Sequence, residues 1–201
     1  MAIPPDDVRV ADAADIPAAA AVLSRAFGPE AFWVWAFPDP RRRIGQLERL
    51  FAFELAQAVP HGWTLLAGGG AAVALWLPPG VQEAHAAASA RVALLRELAG
   101  DDAERILRVY AAEAASHPPE PHAHLSLVGV DPGRQGRGLG LGLVAAGLER
   151  VDGEGLEARL TATNPRNAGR YLRLGFRRDG EIPSIGGAPA IALMRRPPRS
   201  R

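Results

Sequence analysis

The chain has 201 residues, 48% hydrophobic and 22% charged, with a net charge of +1, which suits a single globular domain with a real core and gives no basic field for a nucleic acid. It has no cysteine, no lysine and no G-x-S-x-G serine, so covalent catalysis by the usual nucleophiles is not expected and any group transfer is expected to run directly between two bound substrates. The first residues, "MAIPPDD", are acidic and proline-rich, and no apolar run approaches the ~20 residues of a membrane span, so a cytoplasmic protein without a membrane partner is expected.

In chain order, Val8–Ala11 reads as a short strand. Asp15 then caps a helix with Pro17 in its first turn, and Gly28-Pro29 ends it. "FWVWAF" follows, with Phe32, Trp33, Trp35 and Phe37 in six residues. The segment is too brief for a core helix of its own, and its rings either plug a core or line a ligand site. Asp39 caps the next helix with Pro40 just inside, and Ile44, Leu47, Phe51, Leu55 and Ala58 make its apolar face. Trp63–Leu77 reads as a hairpin around Gly68-Gly69-Gly70, closed by Pro78-Pro79.

Residues 81–117 read as two helical pieces broken at Gly100 and recapped at Asp101 or Asp102, with "HPPEP" (117–121) as a linker. His122–Val130 is a strand, and a period of two puts His122, His124, Ser126 and Val128 on one face. A glycine-rich turn leads into a helix to about Arg150, then a strand at Ala158–Thr163 and a short helix from Asn164 to Leu174 ending at Gly175. Strands at Arg177–Ile182 and Ala190–Arg195 flank a turn at Ser184–Gly187, and 197–201 form a disordered tail. A hairpin followed by strands alternating with helices implies one α/β domain over 1–196, built on a mixed sheet, with 81–121 a helical segment between the sheet halves.

The turn, "VDPGRQGRGLGLGL" (Val130–Leu143), is the chain's strongest chemical signal. Glycines let successive amides aim at one point, and a helix starting there adds its positive dipole end, which together make an anion cradle. Close packing of helix on strand is the other reading. A Walker loop needs lysine after its last glycine, whereas Gly138 is followed by Leu139. A Rossmann match at Gly140-x-Gly142-x-x-Ala145 begins ten residues past the strand, already inside the helix.

"HLSLVGVDPGRQGRGLG" resembles the acetyl-CoA signature of the GNAT acyltransferase family, with Gln135, Gly138 and Gly140 filling its Gln/Arg-x-x-Gly-x-Gly/Ala pattern. "ATNPRNAGRYLRLGF" is similar to the family's second signature, with Tyr171, Gly175 and Phe176 at its spacing. Within the family, "VRVADAADIP", "VALWLPP" and "TNPRNAGRYLRLGF" most resemble the puromycin-type antibiotic N-acetyltransferases of actinomycetes.

The resemblance implies a central mixed, mostly antiparallel sheet of about six or seven strands, one pair of them splayed. It implies acetyl-CoA as acyl donor and a small amine as acceptor, in a direct ternary complex. Arg134, Gln135, Gly136, Arg137, Gly138, Leu139 and Gly140 would hold the pyrophosphate, and Val128, Val130, Asn164 and Asn167 the pantetheine arm. Tyr171 would protonate the leaving thiolate. His124 stands where the histone-acetyltransferase branch has a glutamate base, and Phe32, Trp33, Trp35 and Trp76 would face the acceptor.

On the residues alone, Arg134 and Arg137 also read as solvated charge, Asn164 as a turn cap, Tyr171 as core and His124 as a strand-end histidine. A zinc site at His122-x-His124 is set aside for want of a third ligand, so no metal is expected. A homodimer is compatible with the sequence. A protein or peptide amine acetyltransferase and a non-catalytic acyl-CoA-binding regulator are the alternative functions.

Overall fold

The computed structural model describes residues 7–81 and 85–199, and the last two residues of the expected tail lie outside them. Seven strands form one sheet in the order β1-β2-β3-β4-β5-β7-β6. They are β1 (Arg9–Val10), β2 (Thr64–Ala67), β3 (Ala72–Leu77), β4 (His122–Val130), β5 (Glu157–Ala162), β6 (Arg177–Ile182) and β7 (Ile191–Arg196). Every neighbouring pair is antiparallel except β4–β5, which is parallel and joined through a helix, as a parallel pair requires. The β2–β3 hairpin turns on Gly68, Gly69 and Gly70, all at positive φ, where a side chain would be strained.

The helices are α1 (Ile16–Phe27), α2 (Ala31–Ala36), α3 (Pro40–Ala58), α4 (His85–Ala99), α5 (Ala103–Ala115), α6 (Leu139–Gly153) and α7 (Pro165–Leu172). None of those described is long and apolar enough to cross a membrane. Strand alternation divides the core between the two faces of the sheet. Val73 and Leu75 of β3 face the cluster built from α1 to α5, while Ala72, Ala74 and Trp76 face the cluster under α6 and α7.

Three local expectations change. "FWVWAF" is helical, as α2, because Phe32, Trp33 and Ala36 are all buried against neighbouring helices and tertiary packing overrides its shortness. The cap before α1 is a box made by Asp12 and Asp15 around a preceding 3₁₀ turn, with Asp15 also paired to Arg9, so Asp15 does not cap α1 by itself. On α3, Leu50 is buried and Ile44 is 40% exposed, which rotates the apolar face slightly from its expected line. The break at Gly100 stands at φ +56, between α4 and α5.

One close approach fixes α6 on the sheet. A Cβ at Gly147 would overlap the indole of Trp76, which is fully buried. Gly147→Ala therefore has no room to settle without moving the helix. We expect it to lower stability by about 1–3 kcal/mol, the usual cost of overpacking, read as a shifted urea midpoint at unchanged slope.

Candidate active site

The parallel ladder between β4 and β5 covers only His122–Leu125 against Glu157–Leu160. Beyond it, Ser126–Val130 and Thr161–Ala162 are not paired to each other, and the sheet opens into a slot. On the other side of β4 the register to β3 shifts: Leu75 pairs with Leu127 and Trp76 with Leu125, so Ser126 is an extra, bulged residue.

The bulge reverses which side chains point where. His124 and Leu127 share the face of α1 to α5, as does Gly129, whose added Cβ would meet Leu23 and Ala26 of α1. Val128 and Val130 pack with the cluster under α6, against Gly140. The expected single face of His122, His124, Ser126 and Val128 is thus interrupted at Ser126.

The glycine turn follows β4 directly. The Asp131 carboxylate accepts from Gly133 N at 3.0 Å and pairs with Arg25 at 2.7 Å, which anchors the start of the turn to α1. Gln135 Nε2 donates to the Val130 carbonyl at 3.1 Å. Gly136 and Gly138 stand at φ +79 and +81, and Gly138 is the N-cap of α6. The first bond of that turn runs from Gly142 N to Gly138 O at 2.9 Å, so helix geometry leaves the amides of Leu139, Gly140 and Leu141 without a partner inside the helix. A Cβ on Gly140 would come within 3.1 Å of Val130 Cγ2. The amides left open at this helix N-terminus and the exposed Arg134 and Arg137 are groups that could hold a pyrophosphate at the mouth of the slot.

At the inner end of the slot is a cavity of about 340 Å³. One wall is aromatic, from Phe27, Phe32, Trp33, Phe51 and Phe53. The far end is polar, from Glu54, Arg91, Tyr110, Glu113, His117 and His124. Glu54 pairs with Arg91 at 3.3 Å, and the Arg91 guanidinium lies 5.1 Å over the Tyr110 ring. Thr161 donates to the Glu113 carboxylate at 2.6 Å. Burial raises the pKa of Glu54, Glu113 and Tyr110 above their ordinary values, because desolvation disfavours the charged form.

The histidines form a chain. His122 Nδ1 lies 2.8 Å from the Glu120 carbonyl, which can only accept, so that nitrogen carries the proton. His122 Nε2 then accepts from His117 Nδ1 at 3.0 Å. The His117 and His124 rings meet edge to face at 4.6 Å. Burial lowers the pKa of both, and holds His124 at about 3 with help from nearby His117, His122 and Arg159. A group held that low is neutral at working pH and a weak proton acceptor.

Tyr171 is 7% exposed and borders the cavity at the slot. Burial first, and the Glu30 charge second, push its phenol up, so it keeps its proton across the neutral range. Glu30 accepts from Asn164 Nδ2 at 3.3 Å and from Thr163 Oγ1 at 3.4 Å. Asn164 also caps α7 by accepting from Arg166 N at 3.0 Å.

Phe32, Trp33, His124, Val128, Asn167 and Tyr171 therefore meet around one cavity. Two expected acceptor residues lie elsewhere. Trp35 donates to the Gly186 carbonyl at 2.9 Å beneath the Arg105 guanidinium, and Trp76 is buried on the opposite face of the sheet, so neither lines the cavity. Sequence reasoning missed Glu30, Glu54, Arg91, Tyr110, Glu113 and His117. The signal for three of them was present: Tyr110, Glu113 and His117 follow the i, i+3, i+7 spacing of one helical face.

Gly138 tests the cradle. Gly138→Asp adds a side chain at φ +81 and a negative charge where the amides converge. Acetyl-CoA affinity measured by calorimetry is expected to fall at least about tenfold, a loss of ~1.4 kcal/mol or more, while the fold survives.

Residues 81–176, which hold the glycine turn and α7, match the model of the acetyltransferase (GNAT) family. The whole chain is similar to a solved structure from Corynebacterium glutamicum described as histone acetyltransferase HPA2 and related acetyltransferase, at 27% identity and a TM-score of 0.73, over 100% of this chain and 99% of that one. It is similar in fold to the Drosophila melanogaster polyamine N-acetyltransferase, at 20% identity and a TM-score of 0.67, over 94% of this chain and 96% of that one. The same holds for arylalkylamine N-acetyltransferase 2 from Aedes aegypti, at 14% identity and a TM-score of 0.66, over 96% and 98% of the two chains. One mixed seven-stranded sheet flanked by helices, a splayed parallel pair and a matching family model together give this chain the GNAT acetyltransferase fold and support that family for it.

Proposed function

We propose that the protein transfers the acetyl group of acetyl-CoA directly to the nitrogen of a small amine. The observation that carries this reading is the continuity of turn, slot and cavity: an anion cradle opens into an unpaired strand edge, which ends at a cavity of about 340 Å³. That volume suits a small molecule rather than a folded protein surface. Solved structures of like fold are named for polyamine and arylalkylamine acetylation, which are small amines.

In this reading the pyrophosphate sits on the amides from Gln135 to Gly140, flanked by Arg134 and Arg137. The pantetheine arm lies between Val128–Val130 and the Asn164–Asn167 turn and bonds the freed backbone groups. The neutral amine attacks the thioester carbon, a C–N bond forms, and the carbonyl oxygen becomes an oxyanion. An N–H at the splayed end of β4, from Val128, faces that oxygen. The C–S bond then breaks. Tyr171 gives its phenolic proton to the thiolate and recovers one from the former amine nitrogen, leaving an amide and free coenzyme A thiol. The phenol keeps its proton at neutral pH, which this role requires. Glu30, through Asn164 and Thr163, positions the slot edge beside it.

The aromatic wall favours an acceptor with an aromatic or extended apolar body. Puromycin is one such candidate, on the sequence resemblance, and acetylation of an antibiotic in the cytoplasm is the physiological role that resemblance suggests.

Thiol release from acetyl-CoA across a panel of arylalkylamines, puromycin, polyamines and peptides tests the reading. Turnover of at least one small amine is expected, and Tyr171→Phe is expected to lower it by roughly 10²-fold with little change in cofactor affinity. Tight acetyl-CoA binding without thiol release for any amine would instead favour an acyl-CoA-binding regulator.

A further inference from the structure

The polar end of the cavity holds a second chemistry. Glu113 lies in the last turn of α5, His117 follows four residues later, and His124 comes from β4. One ligand atom from each of the three lies within 4.8 Å of the others. The site weighed from the sequence was His122-x-His124, and the trio here shares only His124 with it, its other two members coming from α5 and the turn after it.

The independent sign of a ligand is His124. Its side chain is 7% exposed, borders the cavity, and its Nδ1 is buried with no hydrogen-bond partner. Buried polar atoms are nearly always satisfied, and one left open on a ring grouped with Glu113 and His117 points to a ligand.

We propose that Glu113, His117 and His124 bind a divalent transition-metal ion of the zinc class, and that the bound ion shuts out the acceptor amine. Two imidazoles and a carboxylate are a set that Zn²⁺ accepts, with one position left open. Bonds of ~2.0–2.1 Å in a tetrahedron need ligand atoms about 3.4 Å apart, so the trio closes by little more than ~1 Å.

An outer shell is already in place. Thr161 donates to the Glu113 carboxylate at 2.6 Å. His117 Nδ1 donates to His122 at 3.0 Å, and His122 in turn donates to the Glu120 carbonyl at 2.8 Å, which puts the His117 proton on Nδ1. Such partners fix the tautomer and orientation of a ligand before the metal arrives.

The open position faces the cavity. The blocking half of the proposal rests on the acetyl-transfer reading above. An ion there competes for the amine lone pair that must attack the thioester, and places positive charge where an ammonium would enter. The slot and the glycine turn are untouched.

Zn²⁺ titration of tag-free, chelator-treated protein tests the site without substrates, and the chain has no cysteine to bind the metal instead. One ion per chain is expected, with the intense visible bands of four-coordinate Co²⁺ when cobalt replaces zinc. His124→Ala and Glu113→Gln should each weaken binding at least about tenfold, and Thr161→Val by roughly tenfold, with circular dichroism confirming the fold. Zn²⁺ should inhibit thiol release competitively with the amine and not with acetyl-CoA. Absence of stoichiometric binding, or binding unchanged in a folded Glu113→Gln or His124→Ala protein, overturns the site. Binding with inhibition that ignores the amine concentration overturns the blocking role. If no amine is turned over, the acetyl-transfer reading fails while the titration still decides the metal site.

Discussion

The parallel ladder between β4 and β5 stops at Leu125 opposite Leu160. Backbone N–H and C=O groups inside a protein must find partners, and two strands that part leave theirs to whatever fills the gap. Each strand continues its pairing on the other edge past that point. β5 continues its pairing with β7 as far as Ala162 and Ala192, while β4 follows β3 up to Val130 opposite Ala72. The slot thus lies between two strands that are each held by an antiparallel ladder on the outer side.

The bulge at Ser126 gives the slot its two-sided character. Before it, β4 sends His124 toward the cavity and Ala123 and Leu125 under α6. After it, Val128 and Val130 turn under α6, where they meet Gly140 and steady the glycine turn. One inserted residue thereby lets a single strand serve both a polar cavity and the packing beneath the glycine turn. Glu30 at the start of α2 joins the same design from the opposite bank, because its bonds to Thr163 and Asn164 tie the aromatic helix to the β5–α7 turn.

Where chemistry was local, it was legible in the sequence. The glycine turn, the Asn164 cap and the Tyr171–Gly175 spacing each need particular residues within a few positions, and the structure builds a turn, a capped helix and a cavity-facing phenol from them. The strand His122–Val130 was legible to the residue, yet the bulge inside it was not, since a register shift depends on the partner strand. Trp76 was misplaced for a related reason. β3 is apolar on both faces, so alternation could not say which face met the cavity. His117 looked like the start of a proline linker, and its meaning appears only when α5 carries Glu113 to the same place. Glu54 and Arg91 stand 37 positions apart on two helices, a pairing no local pattern records.

Amide hydrogen exchange with and without acetyl-CoA tests the central claim most directly, that the cofactor occupies the slot and the cradle. Slower exchange is expected in two stretches, 127–141 and 163–168, with β6 and the β2–β3 hairpin unchanged. Protection confined to other segments, or none at saturating acetyl-CoA, would contradict it.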